Sequence, residues 1–177
     1  MYAVSMTLAG GAAGIAFAAA GTGLSAFWDD SLVPLAMALG AVSLTYAFHE
    51  VGLVRLPVPG REWQVPVEWV RDGFYRSAVL FGGTVGLGVF TRVPYASLPI
   101  LFAWLFVSGS IVYGTIAGLV YGAARAASIY GSYGVGGPEQ LVELNERIMR
   151  YAPSLHQATG LALAAFAAYL LIAPALP

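Results

Sequence analysis

The feature that most constrains the fold of this chain is a series of long apolar runs that contain almost no charge. The 177 residues are 59% hydrophobic and only 10% charged, and their mean hydropathy is +0.76. A soluble domain is about 25% charged, whereas an apolar run of about 20 residues is what a helix needs to cross a bilayer. Because backbone polar groups in hydrocarbon must be satisfied within the segment itself, such runs fold as helices. The sequence therefore predicts an all-α, polytopic integral membrane helical bundle.

The apolar runs predict about five transmembrane helices in a single membrane domain, 1–177. Their approximate bounds are 2–28, 32–54, 77–93, 98–124 and 154–172, and the polar loops are 55–76 and 125–151. Within the second loop, residues 138–151 place apolar side chains on one side and charges on the other, which predicts a short amphipathic helix on the membrane surface. The third span contains four glycines, so a re-entrant segment that inverts the later topology stays open as an alternative.

The arginines predict the orientation of these spans. All eight basic residues are Arg, and seven of them lie in the two polar loops, which a five-span order places on one side. Arginine-rich loops stay in the cytoplasm, so we expect a cytoplasmic N-terminus and a C-terminus outside. Residues 1–27 lack the cationic start of a signal peptide and are expected to be a retained span. The abundance of Ala, Gly and Arg suits a bacterial protein of the cytoplasmic (inner) membrane.

Composition and motifs exclude several classes of function. A net charge of −1 leaves no basic surface for nucleic acid, and the absence of Cys excludes disulfides and thiolate metal sites. The two histidines, His49 and His156, have no metal-ligand spacing, and no nucleophile–base set is visible. We expect no cofactor, no metal and no catalytic residue. A membrane enzyme that uses His49 and Glu50 stays open as a less favoured alternative.

The stretch 82–99, GGTVGLGVFTRVPYASLP, interrupts the apolar pattern with four glycines and two prolines. A helix ends or breaks there, which frees backbone groups. Arg92 is the one arginine outside the two loops, and a cation at membrane depth is costly unless it is functional or anchored at an interface. In the alternative interpretation, Arg92 is anchored at the outer interface and the two prolines form a turn. The functional interpretation predicts a substrate-binding site for an anionic solute, formed by residues of the interruption: Arg92, Thr91, Tyr95 and Pro94.

A second candidate site lies near the end of the second span, where three groups could titrate: Tyr46, His49 and Glu50. His49 and Glu50 are adjacent, so on a helix they point about 100° apart and do not form one site together. Tyr46 and Glu50 are spaced to share a face. The alternative places all three at the water interface, and we expect an interfacial role for His156 in the first turn of the fifth span.

Two features predict contacts beyond those with the lipid bilayer. Gly114, Gly118 and Gly122 recur every fourth residue, a pattern that lets two helices pack closely. We expect a neighbouring helix of the same chain there, with a partner protein or second copy as the less favoured alternative. The loop from Trp63 to Tyr75 is rich in aromatic residues, which suit the membrane interface; it either lies on the headgroups or docks a protein partner.

The run VFTRVPYASLPI, residues 89–100, resembles the broken-helix element of the cytochrome c biogenesis CcdA and DsbD transmembrane family, part of the LysE-like transporter group. Pro94 matches the first proline of that element, Tyr95 stands where its cysteine would be, and Pro99 stands one residue late for the second proline. The resemblance covers about residues 45–125. It implies a helical scaffold with a solute or ion pathway, or a membrane anchor. Because both redox cysteines are missing, it does not imply a thiol-to-disulfide relay.

Two functions from different classes follow from these observations. The first is a small integral membrane protein of transport type, which binds or moves a small solute near the Gly/Pro-broken helix. The second is a non-catalytic membrane subunit that anchors or stabilises a larger membrane complex, in keeping with the missing catalytic residues and the aromatic loop.

Overall fold

A computed structural model describes residues 1–25, 33–58, 69, 73–88, 95–131 and 136–172. All regular structure in these residues is α-helical, which confirms the predicted all-α class. The helices, in chain order, are α1 (Tyr2–Ser25), α2 (Val33–Glu50), α3 (Phe74–Leu87), α4 (Ser97–Ser108), α5 (Ile111–Gly131) and α6 (Pro138–Ile172).

The chain divides into two compact units, and the division falls within α4. Unit 1 comprises Met1–Asp30, Pro59–Pro94 and Leu101–Gly131, and therefore contains α1, α3, α5 and most of α4. Unit 2 comprises Ser31–Val58, Tyr95–Ile100 and Ser132–Pro177, and therefore contains α2, α6 and the first turn of α4.

In unit 1, α1 packs against α5 through glycines on both helices. A Cβ atom on Gly114 would lie only 2.5 Å from the carbonyl oxygen of Gly14, and one on Gly10 would lie 2.9 Å from the Cα of Gly122. Such distances leave no room for any side chain, so the two backbones touch directly. The glycine stripe of α5 thus contacts a helix of the same chain. Pairing of Gly114 with Gly14 and of Gly122 with Met6 shows that α5 runs antiparallel to α1.

α3 runs parallel to the first half of α1. Hydroxyl groups join the two helices near their starts: Tyr2 Oη and Ser77 Oγ are 2.6 Å apart, and Ser5 Oγ donates to the carbonyl oxygen of Ala78 at 2.7 Å. Further along, a Cβ on Gly86 would lie 2.7 Å from the Cα of Met6. α3 then ends at Gly88, whose φ of 71° gives the left-handed C-cap that glycine adopts readily.

α4 continues in the same direction along the second half of α1. The rings of Phe102 and Phe17 stack with centroids 4.5 Å apart, and Thr22 Oγ1 donates to the carbonyl oxygen of Gly109 at 2.6 Å. α3 and α4 therefore lie at successive levels of α1. The segment between them, residues 88–96, is called the α3–α4 break below.

The structure corrects the predicted bounds of the third and fourth spans. The segment 98–124 is not one helix, because Gly109 has a φ of +58° and ends α4. α4 runs along α1 in one direction and α5 in the other, so the chain reverses at this glycine. With 14 residues, α3 is only about 21 Å long, short of the roughly 30 Å hydrocarbon core.

The predicted polar loop 125–151 is also corrected. α5 continues to Gly131, and α6 is one helix of 35 residues with Pro153 inside it. The predicted amphipathic helix and the predicted fifth span are thus parts of the same helix. At its start, Gln140 Oε1 accepts a hydrogen bond of 2.8 Å from the N–H of Gly136, which ties the preceding segment to the helix.

Two of the described helices are long and apolar enough to cross a membrane by length and composition, Tyr2–Gly23 within α1 and Pro138–Ile172. Ser97–Ser108 and Ile111–Ala127 are shorter apolar helices. These segments support membrane association, and the number of five crossings stays a prediction.

In unit 2, α2 packs on the apolar half of α6. The buried residues of α2 repeat every three or four positions and are mostly small, and Ser43 Oγ donates to the carbonyl oxygen of Leu163 at 3.1 Å. A Cβ on Gly40 would lie 3.2 Å from the Cβ of Leu170. Because Gly40 lies near Leu170 and Ser43 near Leu163, the two helices are antiparallel. This packing brings the C-terminal end of α2 to the middle of α6.

Candidate functional site: a buried carboxylate and a half-exposed histidine

Glu50, the last residue of α2, is the centre of the candidate site because its side chain is 0% exposed. An ionised carboxylate in apolar surroundings is costly unless hydrogen bonds and a counter-charge compensate it. The partners of its two oxygens therefore determine what the site can do.

The first oxygen binds the start of α4. Glu50 Oε1 accepts a hydrogen bond of 2.7 Å from the backbone N–H of Ala96, which is itself buried. Ala96 immediately precedes α4, where the N–H groups have no partner within the helix and the helix dipole favours negative charge. Glu50 thus compensates the α4 N-terminus, and the α4 N-terminus compensates Glu50.

The second oxygen binds His156 on α6. Glu50 Oε2 and His156 Nδ1 are 2.5 Å apart, and the imidazole side chain is 39% exposed. No hydrogen bond to the other ring nitrogen, Nε2, occurs within the described part of the chain. The two side chains, called the Glu50–His156 dyad below, thus join a fully buried acid to a base that reaches the surface of unit 2.

Tyr95 packs beside the dyad. Its ring centroid is 4.8 Å from that of His156, with the two planes tilted by 50°. Tyr95 belongs to the α3–α4 break, so residues of the interruption contribute both an aromatic face and, through Ala96, a backbone donor. Aromatic faces attract cations, which adds to the preference set by the carboxylate.

Gly160 allows the dyad to form. It lies one turn after His156 on α6, and a Cβ there would lie 2.7 Å from Val51 Cγ2, 3.1 Å from the carbonyl oxygen of Ala47 and 3.3 Å from Glu50 Cβ. Glycine lets α6 approach the end of α2 closely, because a Cβ at this position would force Val51 or the carbonyl group of Ala47 to shift. The imidazole on the preceding turn consequently reaches the carboxylate.

Tyr46 and His49 hold the segment that follows α2 and do not join the dyad. Tyr46 Oη donates to the carbonyl oxygen of Pro57 at 2.9 Å, and His49 Nδ1 accepts from the N–H of Leu56 at 3.0 Å. The carbonyl oxygen of Val54 is 3.2 Å from the same nitrogen, but a nitrogen that accepts a hydrogen bond cannot also donate one. Both rings therefore anchor residues 54–57.

The structure brings together residues from both predicted sites. Glu50 from the titratable group and Tyr95 from the interruption meet at His156, whereas Thr91, Arg92 and Pro94 lie outside the described residues. The sequence predicted only an interfacial role for His156, and its pairing with Glu50 was missed. The one signal for it is the series of small residues on α2 that ends at Glu50, together with Gly160 one turn after His156.

The described residues contain no group of three or more His, Asp or Glu side chains arranged to hold a metal ion. The dyad has one carboxylate and one free imidazole nitrogen. Its chemistry is that of a base with a buried counter-charge, which can accept a proton or hold a small cation.

A known protein is similar to part of the chain. The Methylamine utilization protein MauF of Methylorubrum extorquens is 37% identical over 103 residues, which cover 57% of this chain and 33% of MauF. The chain thus spans about a third of the length of the curated relative it matches. No family model and no solved structure matches. The resemblance to the CcdA and DsbD family stays a prediction.

Proposed function

We propose that the chain is a small integral membrane protein of transport type, which binds or moves a small solute at the α3–α4 break. The observation that carries the proposal is the completely buried carboxylate of Glu50, held between the N-terminus of α4 and the half-exposed His156. Ionisable groups inside membrane bundles are expensive and mark solute or ion pathways. Interrupted helices in transporters supply such sites with free backbone groups.

The chemistry of the dyad favours a protonated or cationic solute. The anionic solute expected from the sequence depended on Arg92, which lies outside the described residues. In the described residues, neither Glu50 nor His156 pairs with an arginine, so the buried charge of the site is negative. The name of MauF links that protein to methylamine utilization, which makes methylammonium the first solute to test.

For the topology we propose five crossings in the bacterial cytoplasmic membrane, with α3 and α4 together forming the third. The N-terminus is then cytoplasmic and the C-terminus outside, as the arginines predict. The parallel course of α3 and α4 along α1 and the antiparallel course of α5 support this order. The match to a bacterial protein supports the origin.

Uptake of radiolabelled methylammonium into proteoliposomes tests the function. We expect uptake above that of protein-free vesicles, and a decrease of at least about tenfold in Glu50→Gln. The matched control is Glu143→Gln, an exposed glutamate of α6 paired with Arg147, which should transport normally. A further variant, Arg92→Gln, tests the site predicted from the interruption. Equal uptake in vesicles with and without protein would contradict a role in methylammonium transport.

A non-catalytic subunit is the second candidate function, and the first half of α6 favours it. Large apolar side chains are exposed there beside charged ones, which is typical of a surface that docks another protein: Leu141, Val142, Ile148, Met149 and Tyr151. Purification in mild detergent should then yield a partner in stoichiometric amount, and the double variant Leu141→Glu/Ile148→Glu should release it. Asn145→Glu, on the same exposed turns, should not. A lone monomer would argue against this role.

A further inference from the structure

We propose that the Glu50–His156 dyad is a proton-binding site, with Nε2 of His156 as the atom that accepts the proton and Glu50 as its fixed counter-charge. The inference deepens the proposed function by assigning proton coupling to the same site. It rests on that function only for the link to a solute.

The hydrogen bonds of Glu50 decide which imidazole nitrogen is free. An ionised carboxylate only accepts hydrogen bonds, and its Oε1 is already occupied by the N–H of Ala96. The imidazole therefore donates from Nδ1 to Oε2, and in the neutral ring the lone pair lies on Nε2. This tautomer is the one in which a base accepts a proton at its outer nitrogen.

The different burial of the two side chains determines which of them a proton reaches first. Glu50 is closed off from solvent, whereas the imidazole is 39% exposed. A proton that approaches from the exposed side of the ring therefore meets the imidazole before it meets the carboxylate. The step forms one N–H bond from the lone pair of Nε2 and breaks one bond in the donor, which keeps the electron pair. The net charge of the dyad changes from −1 to zero, and nothing is oxidised or reduced.

The other titratable groups near the dyad do not supply the counter-charge. On α2, the ring of His49 is held by Leu56. The α3–α4 break contributes Tyr95, whose ring lies against His156. On α6, the nearest ion pair in the described residues is Glu143–Arg147, which is exposed and two turns or more away. The neutral, protonated dyad is therefore the form that removes uncompensated charge from the apolar interior.

The tautomer of His156 tests the proposal directly in ¹⁵N-histidine-labelled protein in lipid nanodiscs. We expect neutral His156 in the natural protein to carry its proton on Nδ1. In Glu50→Gln the amide oxygen must still accept from Ala96, so the amide NH₂ faces His156 and donates to Nδ1. The neutral ring of His156 then carries its proton on Nε2, and this nitrogen can no longer accept another proton. Glu143→Gln should leave the tautomer unchanged.

Two results would overturn the proposal: an Nε2–H tautomer in the natural protein, or a tautomer that Glu50→Gln leaves as it was. The first result requires no variant, so it stands even if Glu50→Gln fails to fold. His49 provides an internal reference in the same spectra, since its Nδ1 accepts from Leu56 and its tautomer should not respond to Glu50→Gln.

Proteoliposomes that contain a pH-sensitive dye identify the proton donor. If the pH inside the vesicles changes only when both methylammonium and His156 are present, the result supports proton transfer coupled to a protonated amine. A pH change that needs His156 alone supports water as the donor and counts against the proposed transport function. Methylammonium uptake that is unchanged in His156→Gln would overturn the inference and leave the transport function standing. His49→Gln is the matched control for each measurement.

Discussion

Unit 1 and unit 2 hold their helices together by different kinds of contact. In unit 1 the contact between α1 and α5 is a meeting of glycine backbones, and hydroxyl groups join α1 to α3. In unit 2 the apolar contact between α2 and α6 ends at a buried acid and its histidine. Glycine packing uses van der Waals contact, which costs little inside a bilayer. A buried acid costs free energy unless its oxygens have partners, and both oxygens of Glu50 have one.

The difference predicts that unit 1 is the more sensitive of the two to added volume. Gly14→Leu should have the largest effect of all the changes considered, because the new side chain meets the backbone of Gly114. Overpacking typically costs about 1–3 kcal/mol, and a backbone cannot move aside as a side chain can. We expect a loss above about 3 kcal/mol and an aggregated profile in size-exclusion chromatography. Gly23→Leu is the matched control, since no atom lies within 4 Å of a Cβ at Gly23; equal behaviour of the two variants would contradict the packing.

Unit 2 should be sensitive to the loss of a polar partner. Glu50→Ala leaves the buried N–H of Ala96 without an acceptor, and an orphaned buried donor costs about 1–3 kcal/mol. His156 is half-exposed and can bind water instead, so we expect a total loss near 2 kcal/mol, measured as a lower melting temperature in detergent. Glu50→Gln keeps an acceptor and should lose less than half as much. Equal losses in the two variants would show that the hydrogen bond to Ala96 contributes little.

Gly160→Ala tests the position of α6 in unit 2 separately from the charges of the dyad, because it changes the packing and leaves every charged group in place. The added methyl group would lie 2.7 Å from Val51 Cγ2 and 3.1 Å from the carbonyl oxygen of Ala47, so α6 must shift outward slightly. We expect a loss of about 1 kcal/mol, at the low end for overpacking. The shift should also lengthen the contact between His156 and Glu50, which ¹⁵N chemical shifts of the imidazole would report. A normal His156 spectrum in a destabilised variant would show that Gly160 serves packing alone.

The sequence predicted what is local and missed what is distant. The helical class and the glycine stripe of α5 follow from composition and a four-residue period, which short segments of chain carry. The partners do not: nothing in the sequence joins Glu50 to a histidine 106 positions away. The interruption at 82–99 was recognised from its glycines and prolines. Those residues end a helix without fixing the direction of the next one, and nothing in their pattern points to the reversal at Gly109.

The smallest predicted effect tests whether the Glu50–His156 dyad differs from an exposed ion pair of unit 2 in its response to salt. Glu143 and Arg147 on α6 form a contact of 3.0 Å with side chains that are 69% and 66% exposed. Exposed pairs four residues apart on a helix contribute about 0.3–0.5 kcal/mol. Glu143→Gln should therefore lower the free energy of unfolding by about 0.3 kcal/mol, and salt should remove even that difference. The loss in Glu50→Ala should persist in high salt, because Glu50 is shielded from solvent ions. If both variants responded to salt alike, the carboxylate of Glu50 would be open to solvent, and its role as a buried counter-charge would be wrong.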